Sequence, residues 1–294
     1  AMAGRLGVEL TLDEFDEIGK AVPLLVNLMP SGRFLMEDFY YAGGVPAVMR
    51  ELRSLLHLSA TTVSGKSIGE EVLEAPCYDR EVIAEWTKPF QPAGSGTIVL
   101  KGNIAPLGAV LKVSAASPHL LKHRGPALVF DRNEDYIAVS DDLDLDVTAD
   151  TVLVVRNSGP KGYPGFPEVG NMPLPKKLLQ AGVSDMVRLS DARMSGTGFG
   201  TCVLHISPES AAGGPLGVIQ TGDMVVLDAE ARLLMVEITD EELAQRMADF
   251  EPQVAPATRG WEKLYIEHVT GADRGADLDF LEGRGGSAPS RHSH

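Results

Sequence analysis

Over the first ninety residues, apolar positions recur at helical spacing between clusters of turn formers. Residues 11–22, TLDEFDEIGKAV, carry that spacing behind Thr11 or Asp13, either of which suits an N-cap. PSGRF (30–34) reads as a turn, and 35–58 as two helices interrupted at Gly43, Gly44 and Pro46. Ser67 and Glu70 stand in capping-box spacing and open another short helix. Beyond residue 95 the period shortens. GTIVLKG, GAVLKVS, GPALVF, YIAVS, TVLVVRN, DMVRLSDAR, FGTCVLHIS, MVVLDAE and LLMVEI are short β-branched runs punctuated by Gly, Pro, Asp and Asn. LPKKLLQAG (174–182), TDEELAQRMADF (239–250, capped by Thr239) and 259–275 read as helices. Many short strands at close spacing favour a barrel or a sandwich. The expected class is α+β: a helical segment over 1–90, then a β-barrel domain over 91–294 with flanking helices and a tail. No internal repeat is visible.

Composition narrows the function classes. Apolar residues make up 44%, enough for a sizeable core, and the formal net charge is −15. So acidic a chain lacks the basic footprint that nucleic acid or an anionic membrane surface requires, and it suits a cytoplasmic protein. No apolar run approaches the roughly 18–20 residues that span a bilayer. The opening AMAGRLGVEL has no basic stretch leading into an apolar one, and its AMA reads as a cleavage scar or a mid-chain cut, as expected of part of a longer protein. The two cysteines, Cys77 and Cys202, are far apart. They fit a reducing compartment rather than a disulfide scaffold, and are too few to hold an iron–sulfur cluster alone.

Four stretches carry candidate chemistry. SGKS (64–67) has Ala60 where a phosphate loop needs glycine and no strand before it, so a helix N-terminus is the better reading. DDLDLDVTAD (141–150) has Val147 and Leu153 where a calcium loop counted from Asp142 needs Gly and Glu, which leaves a solvated strand edge. SDARMSGTGFGT (190–201) gathers glycines and hydroxyls around Ser195. Arg193 and Thr197 occupy the glycine positions of a hydrolase nucleophile elbow, and His205 lies in a strand-like run. GPKGYPGFPEVGNMP (159–173) is a loop stiffened by glycine and proline around one acid, Glu168, either a metal ligand or a solvated carboxylate.

Taken together, PSGRFLMEDFYYAGGVPAVMREL, GNIAPLGAVLKVS, GPALVF, GYPGFPE and SDARMSGTGFGTCVLHISPESAAGGPLGVIQTGD resemble the carboxy-terminal half of the dihydroxy-acid and sugar-acid dehydratases, the IlvD/EDD family. The 259–283 stretch resembles the extension of the branch acting on pentonates and hexonates, such as arabinonate. The resemblance implies a hydro-lyase that turns a 2,3-dihydroxy acid into a 2-keto-3-deoxy acid, with Mg2+ and a [2Fe–2S] cluster. The cluster cysteines and most Mg2+ ligands are expected in a missing amino-terminal half. By the same resemblance Ser195 is the general base and Glu168 a Mg2+ ligand; Thr197 lies beside the base and is expected to hydrogen-bond to substrate or to the base. The glycines at 196, 198 and 200 are expected to turn backbone N–H groups on the site. The tail EGRGGSAPSRHSH has the composition of a disordered end unless something binds it. His294 or His292 is then expected to close on a Ser195 pocket, within the chain or across a homo-oligomer (dimer or tetramer), with His294 contacting substrate; the alternative is simple surface packing of the tail. Ser195 and Glu168 are expected to face one cavity at the barrel mouth. The alternatives are an isolated, non-catalytic barrel or assembly domain, or a dihydroxy-acid dehydratase of branched-chain amino-acid synthesis.

Overall fold

The computed structural model describes residues 1–196 and 198–283. Short helices come first: α1 (Met2–Arg5), α2 (Leu12–Lys20), α3 (Met36–Tyr41), α4 (Gly44–Glu51) and α5 (Ile68–Val72). Both expected caps form. The Thr11 and Ser67 hydroxyls accept the N–H of Glu14 and Glu70, and each glutamate reaches back to its cap. Between these helices the chain is extended, tied by single bridges such as Leu24 to Gln91 and Val26 to Ile83. Phe39, Ala42, Ala47, Val82 and Ile83 form the small core of this region.

Among the described residues, β1 (Thr97–Gly102), β2 (Ala105–Lys112), β3 (Lys122–Phe130), β4 (Val152–Val155), β5 (Arg188–Ser190), β6 (Cys202–Ser207), β7 (Met224–Asp228) and β8 (Leu233–Val236) close into a barrel. Its order is β1-β2-β6-β5-β4-β3-β7-β8. β3, β4, β5 and β6 run parallel to one another, and the other long pairings are antiparallel. The seam between β8 and β1 pairs Lys101 with Leu233. Beside it, buried Asp16 of α2 accepts the Val99 N–H at 3.0 Å and pairs with Arg232 at 3.2 Å. A helix side chain thus satisfies an edge amide that the short seam leaves over.

β4 is buried on both faces, as a parallel strand covered by crossovers must be. Val152 and Val154 point into the barrel with Leu100, Leu111, Leu189 and Val203. Leu153 and Val155 point outward, under α6 (Asn133–Val139) and α7 (Lys176–Gln180), against Tyr136 and Leu178. Two sequence expectations fail here. YIAVS belongs to α6 rather than to a strand: Glu134 and Asp135 fill its first turn, and Tyr136 packs fully buried against Phe130. A five-residue apolar run cannot separate the two states, and burial on the barrel decides. Residues 141–150 form turns rather than a strand edge, with the Asp142 carboxylate accepting the Asp144 N–H. After the barrel come α8 (Asp240–Ala248), capped by Thr239, and α9 (Gly260–His268). α9 is shorter than expected, because Val269 turns extended and bridges to Leu278. No described helix is long and apolar enough to cross a membrane.

Leu189 is fully buried at the barrel centre. Leu189→Ala is expected to cost about 2–5 kcal/mol through lost transfer energy and a cavity. Urea unfolding checks this as a lower midpoint at unchanged slope.

Candidate active site

The connection from β4 to β5 carries Glu168, and the one from β5 to β6 carries Ser195. Both strand pairs are parallel, so each connection must travel back along the outside of the barrel. The two segments meet there. The Gly170 N–H donates to the Arg193 carbonyl at 2.8 Å. Arg193 Nε donates to the Phe166 carbonyl, and Nη1 lies 3.4 Å from Glu168 Oε1. Gly170 is required by this contact: a Cβ would lie 2.6 Å from Leu204 Cδ2 and 2.9 Å from the Arg193 carbonyl oxygen. Leu204 belongs to the outward side of β6, so the Glu168 loop rests on the barrel wall.

His205 marks a bulge in β6, with φ of 56° and a register shift against β2. Its N–H donates to the Ala192 carbonyl, and its ring meets Phe166 edge-on at 5.6 Å. Burial, and then the Arg193 charge, hold the imidazole below its usual range, so it packs as a neutral ring. Below this level Lys112 Nζ donates to the Gly196 carbonyl at 3.2 Å, and burial lowers the Lys112 pKa. Ser195 is half-buried between these two tethers, and Glu168 is exposed.

The glycines do not all act as expected. The Gly198 N–H donates to the Ser195 carbonyl, and the Gly200 N–H to Ala115. Those two amides therefore shape the segment rather than face a ligand. Ser195 and Glu168 lie on neighbouring crossover segments, one between β5 and β6 and one between β4 and β5. Thr197 and His294 lie outside the described residues, as does the rest of the 284–294 tail.

The upstream ends of both segments are held by buried acids that sequence reasoning missed. Asp191, fully buried at the end of β5, accepts the Ser158 N–H and the Ser210 N–H, each at 2.9 Å. Glu209, just past β6, accepts the Lys161 N–H at 2.9 Å and the Gly162 N–H at 3.0 Å. Burial raises both carboxyls, Glu209 to about 7. The neighbouring Asp191 charge adds to the Glu209 shift, while the two amides and Lys161 oppose it. Gly159 makes room, since a Cβ there would lie 2.5 Å from Glu209 Oε2. A cavity of about 350 Å³ opens beside Glu209, lined by Lys161 and by the 267–274 stretch.

Comparison with known proteins places this geometry. Residues 81–276 match the family model described as dihydroxy-acid/6-phosphogluconate dehydratase C-terminal, and residues 1–71 the corresponding N-terminal model. The chain belongs to this dehydratase family. It is 53% identical over 296 residues to an L-arabinonate dehydratase of Rhizobium leguminosarum bv. trifolii (strain WSM2304), covering 100% of this chain and 51% of the relative. It is 54% identical over 303 residues to an L-arabonate dehydratase of Azospirillum brasilense, covering 100% and 52%. It is 48% identical over 284 residues to a 6-deoxy-6-sulfo-D-gluconate dehydratase of Pseudomonas putida, covering 96% and 49%. The chain therefore spans about half the length of the curated relatives it matches.

The residues present do not by themselves fit either inorganic group that the family implies. Mg2+ takes a near-octahedral set of oxygens. Glu168 offers one carboxylate, already paired with Arg193, and no cluster of three or more His, Cys, Asp or Glu suited to a metal occurs among the described residues. An iron–sulfur cluster takes thiolates. The buried Cys202 thiol is pushed up to about 11, chiefly by burial, and Cys77 Sγ is turned to the carbonyls of Asp79 and Ile83.

Because the folded-state pKa of Glu209 is raised, the folded chain holds a proton that the unfolded chain has lost between about pH 4.5 and 7. Stability must then fall as pH rises through that window and level off above it, by an amount on the order of 3 kcal/mol. Glu209→Gln is expected to flatten this dependence, read as the thermal midpoint between pH 5 and 8.

Proposed function

We propose that this chain is the carboxy-terminal part of a hydro-lyase that dehydrates a sugar acid, an aldonate, to a 2-keto-3-deoxy acid. The observation that carries the reading is the Arg193 tether. It brings the PGFPE and SDARMSGT segments, the two blocks that resemble the family's chemistry, onto one patch of barrel wall. The relatives named for arabinonate and sulfogluconate support the sugar-acid class.

In this reading Ser195 removes the C2 proton, and the C3 hydroxyl leaves and takes up that proton, departing as water. The resulting enol becomes the keto acid. A neutral serine is a feeble base and works as the alkoxide, which nearby positive charge favours. Arg193 and Lys112 are the cations whose side chains tie down this stretch of chain. Glu168 would offer one oxygen to Mg2+, which would stabilise the charge developing on the substrate carboxylate. The remaining Mg2+ ligands and the [2Fe–2S] cluster come from outside the chain, as does the amino-terminal half that would pack against residues 1–90. Thr197 and His294 contact substrate in a cytoplasmic homo-oligomer.

A second reading is favoured by the incomplete donor set: alone, the chain is a folded barrel module without activity. The purified 294-residue chain is accordingly expected to be colourless and to form no keto acid from any aldonate. Stoichiometric iron in it would overturn this. The decisive test joins the chain to its amino-terminal half and screens aldonic acids for keto-acid formation. In that enzyme Ser195→Ala is expected to lower kcat by about 10²–10⁴-fold with an unchanged circular dichroism spectrum. A near wild-type rate would exclude Ser195 as the base. Glu168→Gln is expected to lower both Mg2+ content and rate.

A further inference from the structure

The downstream ends of both segments converge on one buried side chain. Arg188, at the start of β5, is 5% exposed. Its Nη1 donates to the Met172 carbonyl at 2.8 Å and lies 3.4 Å from Asn171 Oδ1, where the Glu168 loop ends. Its Nη2 donates to the Phe199 carbonyl at 3.1 Å, where the Ser195 segment ends, and to Asp185 Oδ1 at 3.1 Å. Asp185 is held in turn by the Thr201 N–H and hydroxyl, the Ser117 N–H and the Met186 N–H. Burial works against its charge, and these hydrogen bonds with the Arg188 charge outweigh it, so the carboxyl stays ionised.

Gly200 is shaped to this clamp. Its φ is +109°, and a Cβ there would lie 1.9 Å from Arg188 Nη2 and 2.5 Å from Asp185 Oδ1. The last glycine of the SDARMSGTGFGT block thus admits a guanidinium. Only arginine presents a rigid planar fork that can hold two carbonyls and a carboxylate at once; an ammonium is a single point. A buried ion pair is weak grounds for stability, since apolar replacements often do as well. Its geometry is the better explanation for its presence.

We propose that Arg188 is the positioning residue of the site, setting the Glu168 loop and the Ser195 segment in fixed register by holding a backbone carbonyl from each. This rests on the reading of Ser195 and Glu168 given above, and its test is separable from it. The Gly170 N–H to Arg193 carbonyl bond joins the two segments, so its amide reports their register. The Ala127 amide, bonded to Asp223 on the far side of the barrel, reports global opening.

Hydrogen exchange on the 294-residue chain, followed by NMR, compares the two amides. In Arg188→Lys the Gly170 amide is expected to exchange at least about 10-fold faster, with Ala127 changed by less than about 2-fold, because only local opening is eased. The Asp185→Asn/Arg188→Met double variant strands no charge and keeps the test alive where Arg188→Lys fails to fold; it is expected to give the same contrast. Equal acceleration at both amides, or none at Gly170, overturns the proposal. In the joined enzyme, Arg188→Lys is expected to lower kcat about 10–100-fold through misplacement of reacting groups, with KM changed far less. A change confined to KM overturns it as well. If Ser195→Ala leaves turnover intact, the functional reading falls while the exchange contrast stands. If Ser195→Ala is inactive and Gly170 stays protected, Arg188 alone is excluded.

Discussion

Two parallel neighbours in a sheet cannot be joined by a tight turn; the chain must travel back the length of the strand before it can pair again. This barrel contains four such neighbours in a row, β3 to β6, and therefore three return connections on its outer wall. The first two are long enough to include α6 and α7, which cover β4 and bury its outward side chains. The third, residues 191–201, has no helix among its described residues. It crosses as a bare segment that packs against the neighbouring return and β6 through backbone contacts. A Cβ at Gly198 would meet Met194 and one at Gly200 would meet Arg188 and Asp185, which accounts for those two glycines, whereas Gly196 has open space around it.

Bare segments leave many backbone N–H and C=O groups to satisfy. The fold meets this with buried charges at both ends. Asp191 and Glu209 collect N–H groups above. Arg188 collects carbonyls below, with Asp185 holding the Thr201 amide. In the middle Arg193 and Lys112 each reach a carbonyl. The cations that would favour an ionised Ser195 are thus also parts of the scaffold. The acids above are raised by burial, whereas the acid below stays ionised because the Thr201 amide and hydroxyl, the Ser117 amide and then the Arg188 charge outweigh its burial.

The site built this way is one-sided. It presents a serine, a carboxylate and two cations on a barrel wall, and offers neither a thiolate pair nor a grouped set of oxygen donors among the described residues. That matches a chain spanning about half of its relatives, with family models for two domains meeting between residues 71 and 81.

The sequence by itself determined the caps, the strands and the blocks. Thr11, Ser67 and Thr239 cap helices because a hydroxyl three residues before a free N–H acts locally. The β-branched runs became the barrel, and the PGFPE and SDARMSGT blocks pointed to Glu168 and Ser195 before any contact was visible. Tertiary structure decided the rest. It made YIAVS a helix, since a short apolar run takes the state that buries Tyr136. It spent two glycine amides on backbone bonds that shape the chain. It also chose which charges matter: nothing in the spacing of Arg188, Asp191 or Glu209 separates them from solvated residues. Their role comes from burial beside backbone groups brought together by strands far apart in sequence, and that proximity exists only once the barrel has closed.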